Sequence, residues 1–428
     1  MSIAYSLLLV CIIFASGSAV HDGSAARSLV ATLAAIALAC VAVSARAADV
    51  QFAARVTRGL KLAAAVPALW IAIQLLPTPF GAHSVWNYAN EALGRQAWGH
   101  VSVDLGATIL ALAFYGANIA LITVGVFVAR DRRRAELILF VVTGVTAITT
   151  LVLLVARWGL VPINAATAND VLAATGALGI ILSLANVVRA IERRETRNAE
   201  KPGSAQNILA ALIASGAVLL LSISGLASSA TVNVGLVAAF GLVSFGSLRL
   251  IRRIGLGSWA TGTLAATMIV AAAMIIVWRY DPASVLSPFL QFAGEPSPQA
   301  FAATQRLISD AGWSGTGAGT YAAIFPVYQD LGSSLKAPSS AAVLAIELGW
   351  PMVVFAIALT AWLIVTLYRG ALARGRDSFY PAAAAACTIV VLGEALCNTS
   401  LLNSSVAVVG DAIIGLGLAQ SVSGRDVP

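Results

Sequence analysis

A chain of 428 residues that is 59% hydrophobic and only 11% charged cannot cover a water-soluble surface, where roughly a quarter of residues are charged. Its net charge of +7 sits in short basic clusters between apolar runs, a pattern of membrane topology that speaks against nucleic acid as a partner. The four cysteines fall in apolar segments without metal-ligand spacing and read as small buried hydrophobes.

Apolar runs of about 20 residues, enough to cross a hydrocarbon core of roughly 30 Å, recur along the chain. They cover 3–20, 28–44, 62–78, 107–129, 135–156, 171–191, 208–227, 232–251, 260–278, 340–367, 381–397 and 404–422. The first ends in Ala-Ser-Gly-Ser-Ala, which resembles a cleavage site. No positive charge precedes it and a second run follows at once, so it reads as a transmembrane helix. The run 340–367 is too long for one span and is interrupted at Glu347-Leu-Gly-Trp-Pro351. A short helix dipping in from the outer surface, followed by a spanning helix from about Pro351, is expected there.

Most of the 26 Lys and Arg residues lie at 46–61, 130–134, 189–201, 249–253, 369–376 and in the tail. The six others, Arg27, Arg95, Arg157, Arg279, Arg306 and Lys336, fall in the alternate loops. A basic excess marks the cytoplasmic side, so both termini are expected in the cytoplasm. The expected fold is an all-α polytopic membrane protein with about 12 transmembrane helices and a small extracytoplasmic helical cap. Residues 1–278 hold helices 1–9, 279–339 the cap loop, and 340–428 helices 10–12 with a short tail.

Two outer loops exceed a turn. The first, 79–106, carries Trp86, Tyr88 and Trp98, side chains suited to a membrane interface. The second, 279–339, contains PQAFAATQRLISDAG, an amphipathic helix with Phe301, Leu307 and Ile308 on one face and Gly312 at its end. GWSGTGAGTYAAIFPVYQ follows at once. A dinucleotide fingerprint needs a third glycine three places after the second, with a strand before it. Here the spacing is two and a helix precedes. Gly315, Gly317 and Gly319 therefore form either an anion-binding concavity of backbone amides or a tight turn.

The order of amphipathic helix, Asp310, Gly-x-Gly-x-Gly, Tyr321, Pro-x-Tyr328 and an apolar helix with Glu347-Leu-Gly resembles the O-antigen ligase and O-antigen polymerase superfamily. The 79–106 loop, the basic turn Arg130–Arg134 and the closing Gly415–Ser421 are similar as well, and the specific part covers about 300–352. The resemblance implies a bacterial inner-membrane enzyme that transfers glycan from an undecaprenyl pyrophosphate carrier to a sugar hydroxyl. It implies no metal or cofactor, and other polysaccharide-assembly proteins as partners. Cations stabilise the departing pyrophosphate, and a base accepts the acceptor's proton.

In the family arginines and a histidine hold those roles, and this chain departs there. Ala337-Pro338-Ser339 stands in place of Ala-His-Asn, and no Lys or Arg occurs between Lys201 and Arg249. The cations left for a rearranged site are Lys336, Arg306, Arg279 and Arg157, with Gly315, Gly317, Gly319, Tyr321 and Tyr328 as further substrate-binding positions. Asp310, Asp330 and Lys336 are the candidate catalytic groups, with His83 and His100 as weaker bases. Glu347 is expected to hold its short helix. Asp411 and Glu394 lie inside apolar runs, where they pair with groups such as Asn398, Asn403 and Ser405 or carry protons. A non-catalytic glycan-binding member and a proton-coupled transporter are the alternative readings.

Overall fold

The computed structural model describes residues 2–78, 82–94, 98–159, 165–196, 203–229, 231–254, 290, 292–294, 298–329, 336–374 and 377–422. Every regular element among them is a helix. In chain order these are α1 (Ser2–Ser18), α2 (Ser24–Ser44), α3 (Ala47–Val56), α4 (Arg58–Leu75), α5 (Val85–Leu93), α6 (Leu105–Val128), α7 (Arg132–Arg157) and α8 (Ala165–Thr196). They continue with α9 (Gly203–Ser228), α10 (Val232–Ile254), α11 (Pro298–Ala311), α12 (Tyr321–Ile324), α13 (Ser340–Leu348), α14 (Trp350–Ala373), α15 (Phe379–Cys397) and α16 (Ser404–Ala419).

Eight of these, α2, α4, α6, α7, α8, α9, α14 and α15, are long and apolar enough to cross a membrane. α1, α16 and the 232–248 part of α10 are shorter apolar helices. The run 260–278 lies outside the described residues, as do Arg279 and Asp330. The long run 340–367 divides at Gly349 into α13 and α14, with Pro351 in the first turn of α14, where a missing N–H costs nothing. α3 and α5 are short helices within segments read as loops.

Burial sorts the helices into layers. α8 is apolar around its whole circumference and is enclosed from Val171 almost to its basic end. α15 and α16 pack beside it with continuous buried stretches at 379–388 and 408–413. α4 instead leaves Leu62, Leu69 and Ile73 exposed on one stripe, as a lipid-facing helix does. Close approach between core helices depends on small residues, since apolar surface alone gives helices no drive to associate in lipid. α6 meets α16 at Gly125 and Gly415, where a Cβ on Gly415 would lie 2.8 Å from the Ile122 carbonyl oxygen and 3.1 Å from the Gly125 Cα. Gly415→Ala should therefore lower stability by about 1–3 kcal/mol through overpacking. Gly410→Ala in the same helix, whose new methyl meets only Val391 at 3.7 Å, should be close to neutral. Thermal unfolding of the two purified variants in detergent tests the pair.

The connections segregate to two ends of the bundle. At the basic end Arg130 pairs with Asp49, Arg132 with Asp377 at 2.8 Å, and Arg189 and Arg193 with Glu136. Arg374 donates to Gln420, whose side-chain amide donates to the Ala129 carbonyl. At the opposite end, Arg27 pairs with Asp22 at 2.6 Å and donates to the Leu402 carbonyl. The Ser404 hydroxyl donates to Asp22 and to Ser18, tying the α1–α2 turn to the start of α16.

Candidate functional site

The glycine stretch folds into a knot between the ends of α4, α6 and α13. Gly315, Gly317 and Gly319 all have positive φ (74°, 111° and 77°). Each also leaves no room for a side chain: a Cβ would lie 2.3 Å from the Glu347 carbonyl oxygen, 2.5 Å from the Ser102 hydroxyl, or 2.8 Å from the Ala107 carbonyl oxygen. Close approach lets the backbone groups find partners in other elements. The Thr316 and Gly317 amides donate to the carbonyls of Ile346 (2.9 Å) and Glu347 (3.0 Å), and Val103 N donates to the Thr316 carbonyl (2.9 Å).

Gln74, fully buried at the end of α4, is the hub. Its amide nitrogen donates to the Ser314 and Glu347 carbonyls, both at 3.0 Å, and its side-chain oxygen accepts from Ala318 N at 3.1 Å. Rather than converging on one shared acceptor, the amides of the stretch are divided among several groups of the protein itself. The Glu347 carboxylate accepts from the backbone amides of Gly319 and Tyr321, the latter at 3.1 Å. The Thr320 amide donates to Gly317, so the amides from 316 to 321 are all engaged inside the chain. Trp70 closes the knot by donating from its ring nitrogen to the Leu348 carbonyl at 2.9 Å and packing 6.0 Å from the Trp313 ring.

α11 lies over this knot. Its face carrying Ala303, Leu307 and the half-buried Ile308 packs on Phe325, Ile346, Tyr321 and Tyr328. Gly312, at φ 66°, ends the helix. Asp310 accepts from the Tyr328 hydroxyl at 2.8 Å, fixing the two ends of the segment to each other. Arg306 is exposed, and among the described residues its guanidinium donates to the Ala302 carbonyl of its own helix. His100 contacts the Leu75 carbonyl and packs against Trp86, and the His83 ring accepts from Val85 N.

A second polar cluster lies at the other end of α13, about 13 Å away at 1.5 Å per residue over its nine residues. Ser339 caps the helix by accepting from Ala342 N at 3.2 Å, and Ser340 donates from its amide and hydroxyl to the Asn398 carbonyl. Just before this cap, the Lys336 ammonium stands 3.9 Å from the Asp170 carboxylate on α8. The same Asp170 oxygen, Oδ2, accepts from the Thr399 amide and hydroxyl at 3.3 and 2.5 Å. Behind them the buried Glu394 carboxylate accepts from the Asn398 side chain (2.5 Å) and the Ser400 hydroxyl (3.2 Å) through Oε2, while Oε1 has no partner among the described residues. Burial holds Lys336 below the ordinary lysine range, with the Asp170 carboxylate pulling it partway back. Arg157, at the end of α7, donates to Asn169 at 2.6 Å, next to Asp170.

The predicted site residues thus separate into two groups. The glycines, Tyr321, Tyr328, Asp310 and Glu347 build the knot and its cover; Lys336 and Arg157 stand at the Asp170 cluster. Asp411 is buried within α16, and its Oδ2 has no partner among the described residues; Asn403 instead caps α16 by accepting from Ser405. Gln74, Asp170 and Thr399 were not singled out in the sequence. Their only local signals are an amide inside an apolar run and an acid directly before one. No family model matches this chain, and no curated protein matches it significantly.

Proposed function

We propose that this protein handles an undecaprenyl-pyrophosphate-linked glycan at the outer face of a bacterial plasma membrane and transfers it to a sugar hydroxyl, in the manner of O-antigen ligases and polymerases. The reading is carried by one observation. The separate sequence pieces that resemble that superfamily, the amphipathic helix, the glycine run, Pro-x-Tyr and Glu-Leu-Gly, pack together as one unit at one end of the bundle. In this reading the glycine amides shape the wall of the site, and side chains meet the substrate. Lys336, Arg306 and Arg157, with Arg279 beyond the described residues, supply positive charge for the pyrophosphate.

The bundle has about twelve spans in this proposal, with the basic end in the cytoplasm and 279–339 outside. The grouping of alternate connections at opposite ends supports that sidedness, as does the concentration of arginines at one of them. Val327, 80% exposed on the cap, is the position to probe. A Val327→Cys variant should react with a membrane-impermeant thiol reagent applied from the periplasmic side, and protection there would overturn the topology. Deletion of the gene should shorten surface polysaccharide or leave lipid A uncapped. Unchanged glycan in the deletion strain would remove the proposed function.

A further inference from the structure

We infer that Asp170 is the base that accepts the acceptor's proton, and that its ion pair with Lys336 couples this proton transfer to departure of the carrier pyrophosphate. The inference rests on the transfer reaction proposed above and assigns its missing acid–base group. Three features of the Asp170 carboxylate carry it.

First, only one of its oxygens is engaged. Oδ2 takes the Thr399 amide, the Thr399 hydroxyl and the Lys336 ammonium, whereas Oδ1 has no hydrogen bond among the described residues. A carboxylate pinned through one oxygen presents the other in a fixed direction, as a base requires. Second, the side chain is 22% exposed, so a hydroxyl can reach it, while the loop that pins it is anchored from behind by the buried Glu394. Third, the ammonium stands at 3.9 Å, beyond hydrogen-bond contact, so Lys336 is held near Asp170 but not locked to it.

The step balances as follows. The acceptor oxygen bonds to the anomeric carbon and its proton passes to Oδ1 of Asp170. The bond from that carbon to the pyrophosphate oxygen breaks, and its electron pair leaves on the carrier. Protonation removes the charge that held Lys336, at the moment when negative charge grows on the leaving pyrophosphate. The cation is thereby released to the group that needs it. Glu394, Asn398 and Thr399 are positioning residues.

A deletion strain is complemented with the wild-type chain, Asp170→Asn, Asp170→Glu or Lys336→Met. Glycan transfer, thermal unfolding of the purified protein and binding of undecaprenyl pyrophosphate are then measured. Asp170→Asn should lower transfer by about 100-fold or more, the range for loss of a general base. It should unfold at the wild-type temperature and bind undecaprenyl pyrophosphate at least as tightly, since Lys336 is freed. Asp170→Glu should retain part of the activity, and Lys336→Met should weaken binding. Full transfer by Asp170→Asn overturns the assignment while leaving the transferase reading intact. Joint loss of folding and binding overturns it too, by showing that the pair is structural. Normal glycan without the gene removes both readings.

Discussion

Gly349→Ala should disrupt the glycine knot. Gly349 sits at φ 83°, ψ 161°, a region open essentially to glycine alone, and an added Cβ would lie 2.0 Å from the Trp313 carbonyl oxygen. Two costs combine, the backbone conformation at about 1–3 kcal/mol and the collision with main-chain atoms at a similar amount. A loss of about 4 kcal/mol is expected, large against the total stability of most proteins. Tryptophan fluorescence during thermal unfolding in detergent reports it, because Trp70 and Trp313 meet at the same knot. Gly312→Ala separates the two causes. It shares the positive φ (66°) but meets nothing within 4 Å, so about 1–2 kcal/mol is expected. Equal losses in the two variants would mean that the close contact contributes nothing.

Glu136→Ala should do comparable damage at the opposite end. Glu136 and Arg189 are both buried, and their 3.4 Å pair stands beside the Phe140 ring, 4.0 Å from the guanidinium. Removing the carboxylate strands the Arg189 charge in the bundle, a loss of about 3–5 kcal/mol. Arg193, partly exposed, can turn to water. Removing both buried charges in a Glu136→Leu/Arg189→Met double variant should recover most of the loss, because no buried cation then lacks its partner. A double variant as unstable as the single one would place the cost in packing rather than in charge. For comparison, Asp22→Asn at the half-buried Arg27 pair, where Asp22 also accepts from Ser404, should cost about 1–3 kcal/mol.

The eight helices long and apolar enough to cross a membrane were legible because lipid imposes one rule on every span: a continuous apolar run whose backbone bonds are satisfied internally. Even the break at Gly349 announced itself, as a glycine and a proline inside a run too long for one crossing. The glycine spacing likewise signalled a backbone constraint. What it packs against was not legible. Gln74 lies some 240 residues from the carbonyl and amide it joins, and nothing in the residues around it points there. Asp170 was hidden for a related reason. An acid just ahead of an apolar run looks like an ordinary helix start, and its partners Lys336 and Thr399 come from two other parts of the chain. α5 escaped notice because its one pattern, Val85, Tyr88, Ala92 and Leu93 on one side, is short and interrupted by asparagines.

The knot also dictates an order of biogenesis. α4 and α6 emerge early from the ribosome, yet the carbonyls that satisfy the Gln74 side chain belong to Ser314 and Glu347. Until synthesis has passed Gly349, a primary amide waits at the bilayer edge with its designated acceptors still missing. Nascent chains interrupted before that point therefore carry an unfinished rim, a polar defect that membrane chaperones and proteases can sense.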